Sequence, residues 1–599
     1  MINKVSWKIG GEAGSGIASI GFNFAKALQR SGLFVFATND YPSLIKGGHN
    51  TYSVRGDDER IYCQRETIDV LVALNKNTIL NNGHELTSEG AIIYDGDKVK
   101  LTPAETPKAK LLHVPLGSIA TKAGGAIFGN TVALGACFKL LGMDFAILTD
   151  LITKSFGKKG GEVAAKNIEA AKAGYDYLEQ NYKEAFFIQI QKLPPKNDLL
   201  LMGNDALCAG AIKAGCKFVA EYPMSPSSSI LHYMAAHERK YGIVVKHTED
   251  EIAAANMIIG AAFTGVRAMT ATSGGGFALM VEALGLAGIS ETPIVMADIQ
   301  RCGPSTGLPT YTEQADLDFV LHASQGEFPR VVLTPGDVEE CFYETFHAFN
   351  LAERTQTPVI IISDKYLAES MVTLDKFNTN NLRIDRGKLV DDKYMENAKG
   401  YKRHEYFADG TSPRCVPGQI NGIHVCSSYE HDETGWTSEE AHDRINMINK
   451  RAKKLALITD EEIAPKLYGD ANAPLTLVVW GSTKMPAMEA MKMLEKQGVK
   501  IRLMHLFCME PFPTKKVMQV LSSAKMTMIA EGNSTGQARN LIRKKTGFLI
   551  PNVYLRYDGR PFEAVDIADK VKELLAKGSL PDAFSYPIPQ KEMNKELKQ

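Results

Sequence analysis

The chain of 599 residues has no C-x-x-C pair among its cysteines, which stand at 63, 137, 208, 216, 302, 341, 415, 426 and 508. It therefore carries no iron–sulfur or zinc signature of its own. Cysteines scattered in this way read as small buried hydrophobes in a reducing compartment. No stretch approaches the roughly 18 uninterrupted apolar residues of a membrane span. The opening residues MINKVSWKIGGEAGSG also lack the apolar core of a secretory leader. An excess of charge of one sign is missing too: 68 Lys+Arg face 69 Asp+Glu, for a net charge of -1. With no basic stripe there is no field to draw in nucleic acid. These absences point to a soluble cytoplasmic protein with neither nucleic acid nor membrane as partner. Hydrophobic residues at 44% and charged residues at 23% belong to a folded chain and exclude wholesale disorder. At roughly 100–200 residues per domain, the length allows about three to five domains.

Three blocks alternate short apolar runs with helical stretches. The first opens with VSWKIG, a glycine-rich turn and a helix whose apolar positions Ile17, Ile20, Phe24, Ala25 and Leu28 recur at helical spacing. Further strands are expected at 33–37, 68–74, 91–96 and 110–116. The polar stretch QKLPPKND (191–198) reads as a linker. The second block supplies the runs KFVAEYP, IVVKH, VRAMTAT, PIVMADI, RVVLTP and TPVIIISD. The third supplies LTLVVWG, KIRLMHL, KMTMIAE and NVYLRYDG. Apolar runs separated by helices predict an α/β protein of three doubly wound, mostly parallel sheets. Between the last two blocks lies a long polar irregular stretch, expected to be functional or packed over another subunit.

Several motifs sit where such folds place ligands. Gly10-Gly11-Glu12-Ala13-Gly14-Ser15-Gly16 joins a strand to a helix, and suits either anion binding or close packing. Lys46, Gly47, Gly48 and His49 form a possible cationic loop for an anion. In Tyr222-Pro223-Met224-Ser225-Pro226 the prolines stiffen a turn, so that Ser225 presents its hydroxyl from a fixed backbone. Glu251 begins a helix and is followed by Ile-Ala-Ala-Ala, small residues that allow another surface to approach; a carboxyl buried there could share a proton with a ring nitrogen. Thr272-Ser273-Gly274-Gly275-Gly276 ends a strand and starts an apolar helix. Arg301 follows the strand PIVMADI, and its planar fork suits a carboxylate.

Together these residues resemble the 2-oxoacid:ferredoxin oxidoreductases, in the form where a gamma domain is fused ahead of the alpha domain. YPMSPSS (222–228) is similar to the family's Y-P-I-T-P-S-S, and the Glu251 helix to its E-x-x-A-A segment. QRCGPSTGLPT (300–310) is similar to Q-R-G-G-P-S-T-G-L-P-T. Ser412-Pro413-Arg414, Pro417-Gly418, Glu430-His431-Asp432-Glu433, MEPFP (509–513) and AEGNSTGQ (530–537) extend the likeness over almost the whole chain. Two positions depart from it: Ser225 replaces threonine, and Cys302 replaces glycine.

The resemblance implies a gamma domain over 1–188, a thiamine-diphosphate pyrimidine-binding domain over 199–367, an irregular segment over 368–471 and a transketolase C-terminal-like domain over 472–582. It implies oxidative decarboxylation of a 2-oxoacid to an acyl-CoA, with electrons passed to ferredoxin. Glu251 would act on the pyrimidine nitrogen as the catalytic carboxyl. Tyr222 and Pro223 would contact the cofactor, while Ser225 and Arg301 would hold the substrate. Lys46 through His49 would lie by the CoA channel. No G-D-G motif for Mg2+ and diphosphate is present, nor a cysteine set for [4Fe–4S]. Both would then sit on a beta subunit, in an assembly of two alpha–beta pairs. Fusion order and length favour 2-oxoglutarate, with pyruvate, branched-chain or aryl 2-oxoacids as alternatives. A thiamine enzyme without ferredoxin and a non-catalytic assembly subunit are the competing classes.

Overall fold

The computed structural model describes residues 1–44, 47–156, 161–194, 196 and 198–584. Three α/β sheets, mixed but mostly parallel and flanked by helices, organise them. The apolar runs read from the sequence form the central strands. Val359–Asp364 and Thr476–Trp480, for example, are buried along their whole length, as strands covered on both faces must be.

The second sheet runs, edge to edge, Cys508–Glu510, Val331–Leu333, Val359–Asp364, Val295–Gln300, Ala268–Thr272, Phe218–Glu221 and Val244–His247. All its pairings are parallel except that of Cys508–Glu510. The third runs Lys466–Gly469, Arg502–Leu506, Thr476–Trp480, Thr527–Glu531 and Asn552–Leu555, parallel apart from its first strand.

The first sheet is less parallel than the apolar runs suggest. Val5–Glu12, Ile68–Ala73, Leu86–Tyr94 and Lys110–His113 pair in parallel. On the other side, His49–Asp57 is antiparallel to both Val5–Glu12 and Phe34–Asp40. No apolar run marks this strand, because its buried positions include Thr51, Ser53, Arg55 and Asp57. The third block makes that burial tolerable: Glu489 accepts from Arg55 Nη2 at 2.7 Å and from the Tyr62 N–H at 3.1 Å. A buried guanidinium is stable only when paired in this way.

The sheets do not break where the composition does. Leu199–Met202 and Met371–Leu374, from beyond the polar linker, close the far edge of the first sheet. Cys508–Glu510 adds a strand from the third block to the second sheet. Lys466–Gly469 belongs to the third sheet, although it lies inside the polar stretch.

The long irregular stretch, expected to be functional or packed over another subunit, packs extensively on its own chain. Its charged side chains reach inward. Glu353 takes Arg414 at 2.8 Å and Arg386 at 2.6 Å, beside Arg267 at 2.8 Å. Glu291, fully buried, holds Lys450, Lys454 and His404. Glu430 and Glu433 of the acidic cluster are likewise taken by Arg451 and Lys402. No helix of the described residues is long and apolar enough to cross a membrane.

Candidate active site

The C-terminal ends of the second sheet carry the site, as expected for an open α/β sheet. Asp250 caps the helix Glu251–Phe263 by accepting from the Ala253 N–H at 2.8 Å. That cap fixes Glu251 at the first helical position, where it is 3% exposed. Its neighbours Ala254 and Ala255 are small and buried, so the helix lies close to the apolar helix Gly274–Ile289. A Cβ placed on Gly276 would fall 2.6 Å from Glu251 Oε1 and 2.1 Å from Thr272 Oγ1. Only glycine leaves room for the carboxyl there. Glu251 Oε1 has no hydrogen-bond partner among the described residues. Such an oxygen costs stability unless a ligand satisfies it.

The same turn receives a second carboxyl on its other side. A Cβ on Gly274 would lie 2.3 Å from Asp316 Oδ2. Asp316 and Arg301 both line a cavity of about 450 Å³ over Gly274 and Gly275, together with Met224 and Ser305. Arg301 Nη1 donates to the Ser225 carbonyl at 2.7 Å. This bond joins the YPMSPSS turn to the QRCGPSTGLPT loop and leaves the rest of the fork free for an anion. The Ser225 side chain is exposed and Pro223 half-buried, while Tyr222 is exposed. Burial, then the nearby Glu313 charge, raises the Asp316 carboxyl to about 6, against the pull of Arg301. Burial lowers the Arg301 guanidinium.

Deeper in the sheet, Glu221 and Asp298 have carboxyls raised well above the ordinary range by burial. Asp298 stands beside Thr272 in the parallel ladder, and neither of its oxygens is partnered among the described residues. Ser227 donates to Glu221 Oε1 at 3.0 Å and to the Met224 carbonyl at 2.8 Å.

On the other side of the QRCGPSTGLPT loop lies a larger cavity, about 810 Å³, walled by all three sheets' loops. Thr310 lines it, and the buried Thr310 Oγ1 has no partner among the described residues. His49 also lines it, with both ring nitrogens unpartnered among the described residues and its pKa lowered chiefly by burial. Gly47 and Gly48 take positive φ angles, 78° and 98°. Lys46 lies outside the described residues. In the turn Gly10–Gly16 a Cβ would meet Thr78 at 2.7 Å from Gly10 and Asn130 at 2.6 Å from Gly16, whereas Gly14 has open space around it at a φ of 88°.

Gln314 closes the arrangement. Its Nε2 donates to the Trp480 carbonyl at 2.9 Å, while Oε1 accepts from Thr483 Oγ1 at 2.9 Å and the Gly532 N–H at 2.8 Å. The loop carrying Arg301 is thereby fixed to the strand ends of the third sheet. Spacing and composition did not single out Gln314, Asp316, Thr310, Asp298 or Glu221. The first three sit within or just after the motif run, which was the available signal. The last two are single acids in apolar strands, and an acid at a buried strand's C-terminal end could have flagged them.

Next to the Glu251 corner the surface is apolar: Ile252, Met257 and Leu279 are exposed on the two facing helices.

A buried, unsatisfied carboxyl under a glycine turn, beside a cavity that holds a guanidinium with donors to spare, is the geometry of a candidate ligand site at the strand ends of an α/β sheet. Residues 209–450 match the family described as pyruvate flavodoxin/ferredoxin oxidoreductase, thiamine diphosphate-binding. Residues 6–177 match that described as pyruvate ferredoxin/flavodoxin oxidoreductase. A 2-oxoacid:ferredoxin oxidoreductase subunit alpha from Sulfolobus sp is 34% identical, over 96% of this chain and 97% of that protein. The chain belongs to the alpha subunits of the 2-oxoacid:ferredoxin oxidoreductases, thiamine-diphosphate enzymes of the EC 1.2.7 class. The 2-oxoglutarate oxidoreductase subunit KorA of Mycobacterium tuberculosis is 29% identical, over 96% of this chain and 92% of its own. A solved 2-oxoglutarate:ferredoxin oxidoreductase from Magnetococcus marinus, with 2-oxoglutarate, coenzyme A and succinyl-CoA bound, is 34% identical. It superposes with a TM-score of 0.89 over 95% of this chain and 99% of that one.

Proposed function

We propose that this chain is the alpha subunit of a 2-oxoglutarate:ferredoxin oxidoreductase, converting 2-oxoglutarate and CoA to succinyl-CoA with electrons passed to ferredoxin. The observation that carries the site assignment is the Glu251 carboxyl, buried with one oxygen unpartnered against Gly276, beside a cavity holding Arg301. The choice of 2-oxoglutarate is supported by the Mycobacterium tuberculosis relative, a 2-oxoglutarate oxidoreductase subunit, and by the 2-oxoglutarate bound in the Magnetococcus marinus structure.

Glu251 would hold the aminopyrimidine ring nitrogen through that oxygen and carry the proton there. Tyr222 and Pro223 would flank the ring. Thiamine diphosphate, when bound, supplies the nucleophilic carbon that takes up the 2-oxo group. Arg301 would grip the C1 carboxylate with donors not committed to the Ser225 carbonyl, and the exposed Ser225 hydroxyl would bond the substrate. The 810 Å³ cavity has room for a large anionic co-substrate, and Lys46 through His49 would serve as its CoA loop. The apolar face beside Glu251 would receive a beta subunit that brings Mg2+, diphosphate contacts and the [4Fe–4S] cluster, in a cytoplasmic assembly of two alpha–beta pairs.

Purified complex, co-expressed with its beta partner, is assayed with 2-oxoglutarate, pyruvate, branched-chain and aryl 2-oxoacids, CoA and a viologen acceptor. A kcat/KM highest for 2-oxoglutarate is expected, and a preference for pyruvate refutes the substrate choice.

A further inference from the structure

The larger cavity carries more cations than its ligands have yet been asked to use, and all but one of those described are already paired. Lys8 is bonded to Glu85. Arg65 holds Asp69 at 2.6 Å, and Lys365 lies 3.5 Å from Glu369 and 3.9 Å from Asp40. Arg560 differs. Its guanidinium has no carboxylate within ion-pair distance among the described residues, and its one side-chain hydrogen bond is a long contact, 3.5 Å, to the Gly559 carbonyl. The nearby Asp558 carboxylate is engaged by Arg556 Nε at 3.2 Å and by the Arg560 backbone N–H at 2.9 Å.

The exposed Arg560 is nonetheless held in place. Its guanidinium lies over the Tyr311 ring, 4.1 Å from the centroid, and such stacking orients the planar fork without using its donors. Tyr311 follows Thr310, whose buried hydroxyl is unpartnered among the described residues. Thr310, Tyr311 and Arg560 all line the larger cavity. The backbone before Arg560 is pressed against the substrate loop: a Cβ on Gly559 would sit 3.2 Å from Cys302 Sγ. Cys302 in turn adjoins Arg301. A guanidinium stacked on Tyr311, with donors free among the described residues and its preceding glycine packed against Cys302, is built to receive an anionic group.

We propose that Arg560 binds an anionic group of a substrate in the larger cavity: the distal carboxylate of a dicarboxylic 2-oxoacid, or a phosphate of CoA. This inference rests on the function proposed above and deepens it by naming the residue that reads the second charge. Guanidinium chemistry serves both anions, and the experiment separates them.

Arg560→Gln and Arg560→Lys are prepared in the complete alpha–beta complex. Steady-state constants are measured for 2-oxoglutarate, pyruvate and CoA, and calorimetric titrations give the affinities for 2-oxoglutarate and CoA without turnover. A rise of tenfold or more in KM and Kd for 2-oxoglutarate, with pyruvate and CoA constants unchanged, assigns the distal carboxylate. The same rise confined to CoA assigns a phosphate. Lysine at 560 recovers part of either loss, because it restores the charge without the planar fork. Constants within twofold of the wild type for both anions overturn the proposal, as does a wild-type complex that binds neither. A wild-type complex that binds 2-oxoglutarate and CoA yet turns over no 2-oxoacid defeats the proposed function instead, with the binding arm still deciding Arg560.

Discussion

Adding one methyl group at Gly276 tests the placement of the Glu251 carboxyl without altering its charge. In Gly276→Ala the new carbon would start 2.6 Å from Glu251 Oε1 and 2.8 Å from Glu251 Cγ, with Thr272 Oγ1 at 2.1 Å. Restoring ordinary contact, about 3.4 Å, moves the carboxyl by about 0.8 Å. Misplacing a reacting group by about 1 Å costs on the order of 100-fold. Overpacking of this kind also lowers stability by about 1–3 kcal/mol. The complex carrying Gly276→Ala is therefore expected to lose about two orders of magnitude in kcat/KM with the 2-oxoacid, with a modest fall in melting temperature. Cofactor affinity, followed by quenching of intrinsic fluorescence in a thiamine diphosphate titration, should weaken as well. Glu251→Gln provides the comparison, since it keeps the shape and removes the acid; a loss of about 100-fold or more is expected there too. If Gly276→Ala keeps activity and cofactor affinity within about threefold of wild type, the carboxyl does not work from this corner and the site assignment fails.

Arg301→Ala should lower kcat/KM for the 2-oxoacid by about 100-fold, with Arg301→Lys between it and wild type because the paired donors are lost; equal values for lysine and arginine would argue against a forked grip on the carboxylate. The Glu563 carboxyl is raised to about 8, first by burial and then by its hydrogen bond with Glu66 and that group's charge, against Arg556. Its folded pKa exceeds the unfolded value, so its contribution to stability is full below about pH 4.5 and is lost as pH rises through about 8. Melting temperatures between pH 5 and 9 should therefore fall more steeply in wild type than in Glu563→Gln, and parallel curves would contradict this. Glu353→Ala strands Arg267, Arg386 and Arg414 around an empty position. It should cost about 3–5 kcal/mol by denaturant titration and expose the segment 376–440 to protease; an unchanged cleavage pattern would mean that the segment is anchored elsewhere.

Much of the architecture was legible because buried parallel strands advertise themselves as apolar runs: VIIIS, TLVVW and VMADI were read as strands and are strands. The failures share a physical cause. His49–Asp57 hides its strand character because its buried polar residues are satisfied by side chains from distant parts of the chain, which periodicity cannot register. Leu199–Met202 and Met371–Leu374 are only four residues long, and their pairing depends on the tertiary fold. The candidate site residues Ser225, Glu251 and Arg301 were proposed where chemistry and rigid turns coincide, and the structure bonds Arg301 to the Ser225 carbonyl. Asp316 and Gln314 escaped notice because their roles come from what approaches them, a glycine turn in one case and a neighbouring sheet in the other.

The side chain at 314 occupies the crevice at the strand ends of the third sheet, between Trp480 and Gly532. The third unit thereby grips, through the Gln314 side chain, the loop that carries Arg301. A tilt of that unit would pull on the Gln314 side chain through these hydrogen bonds, and through it on the peptide that leads back to the guanidinium at 301.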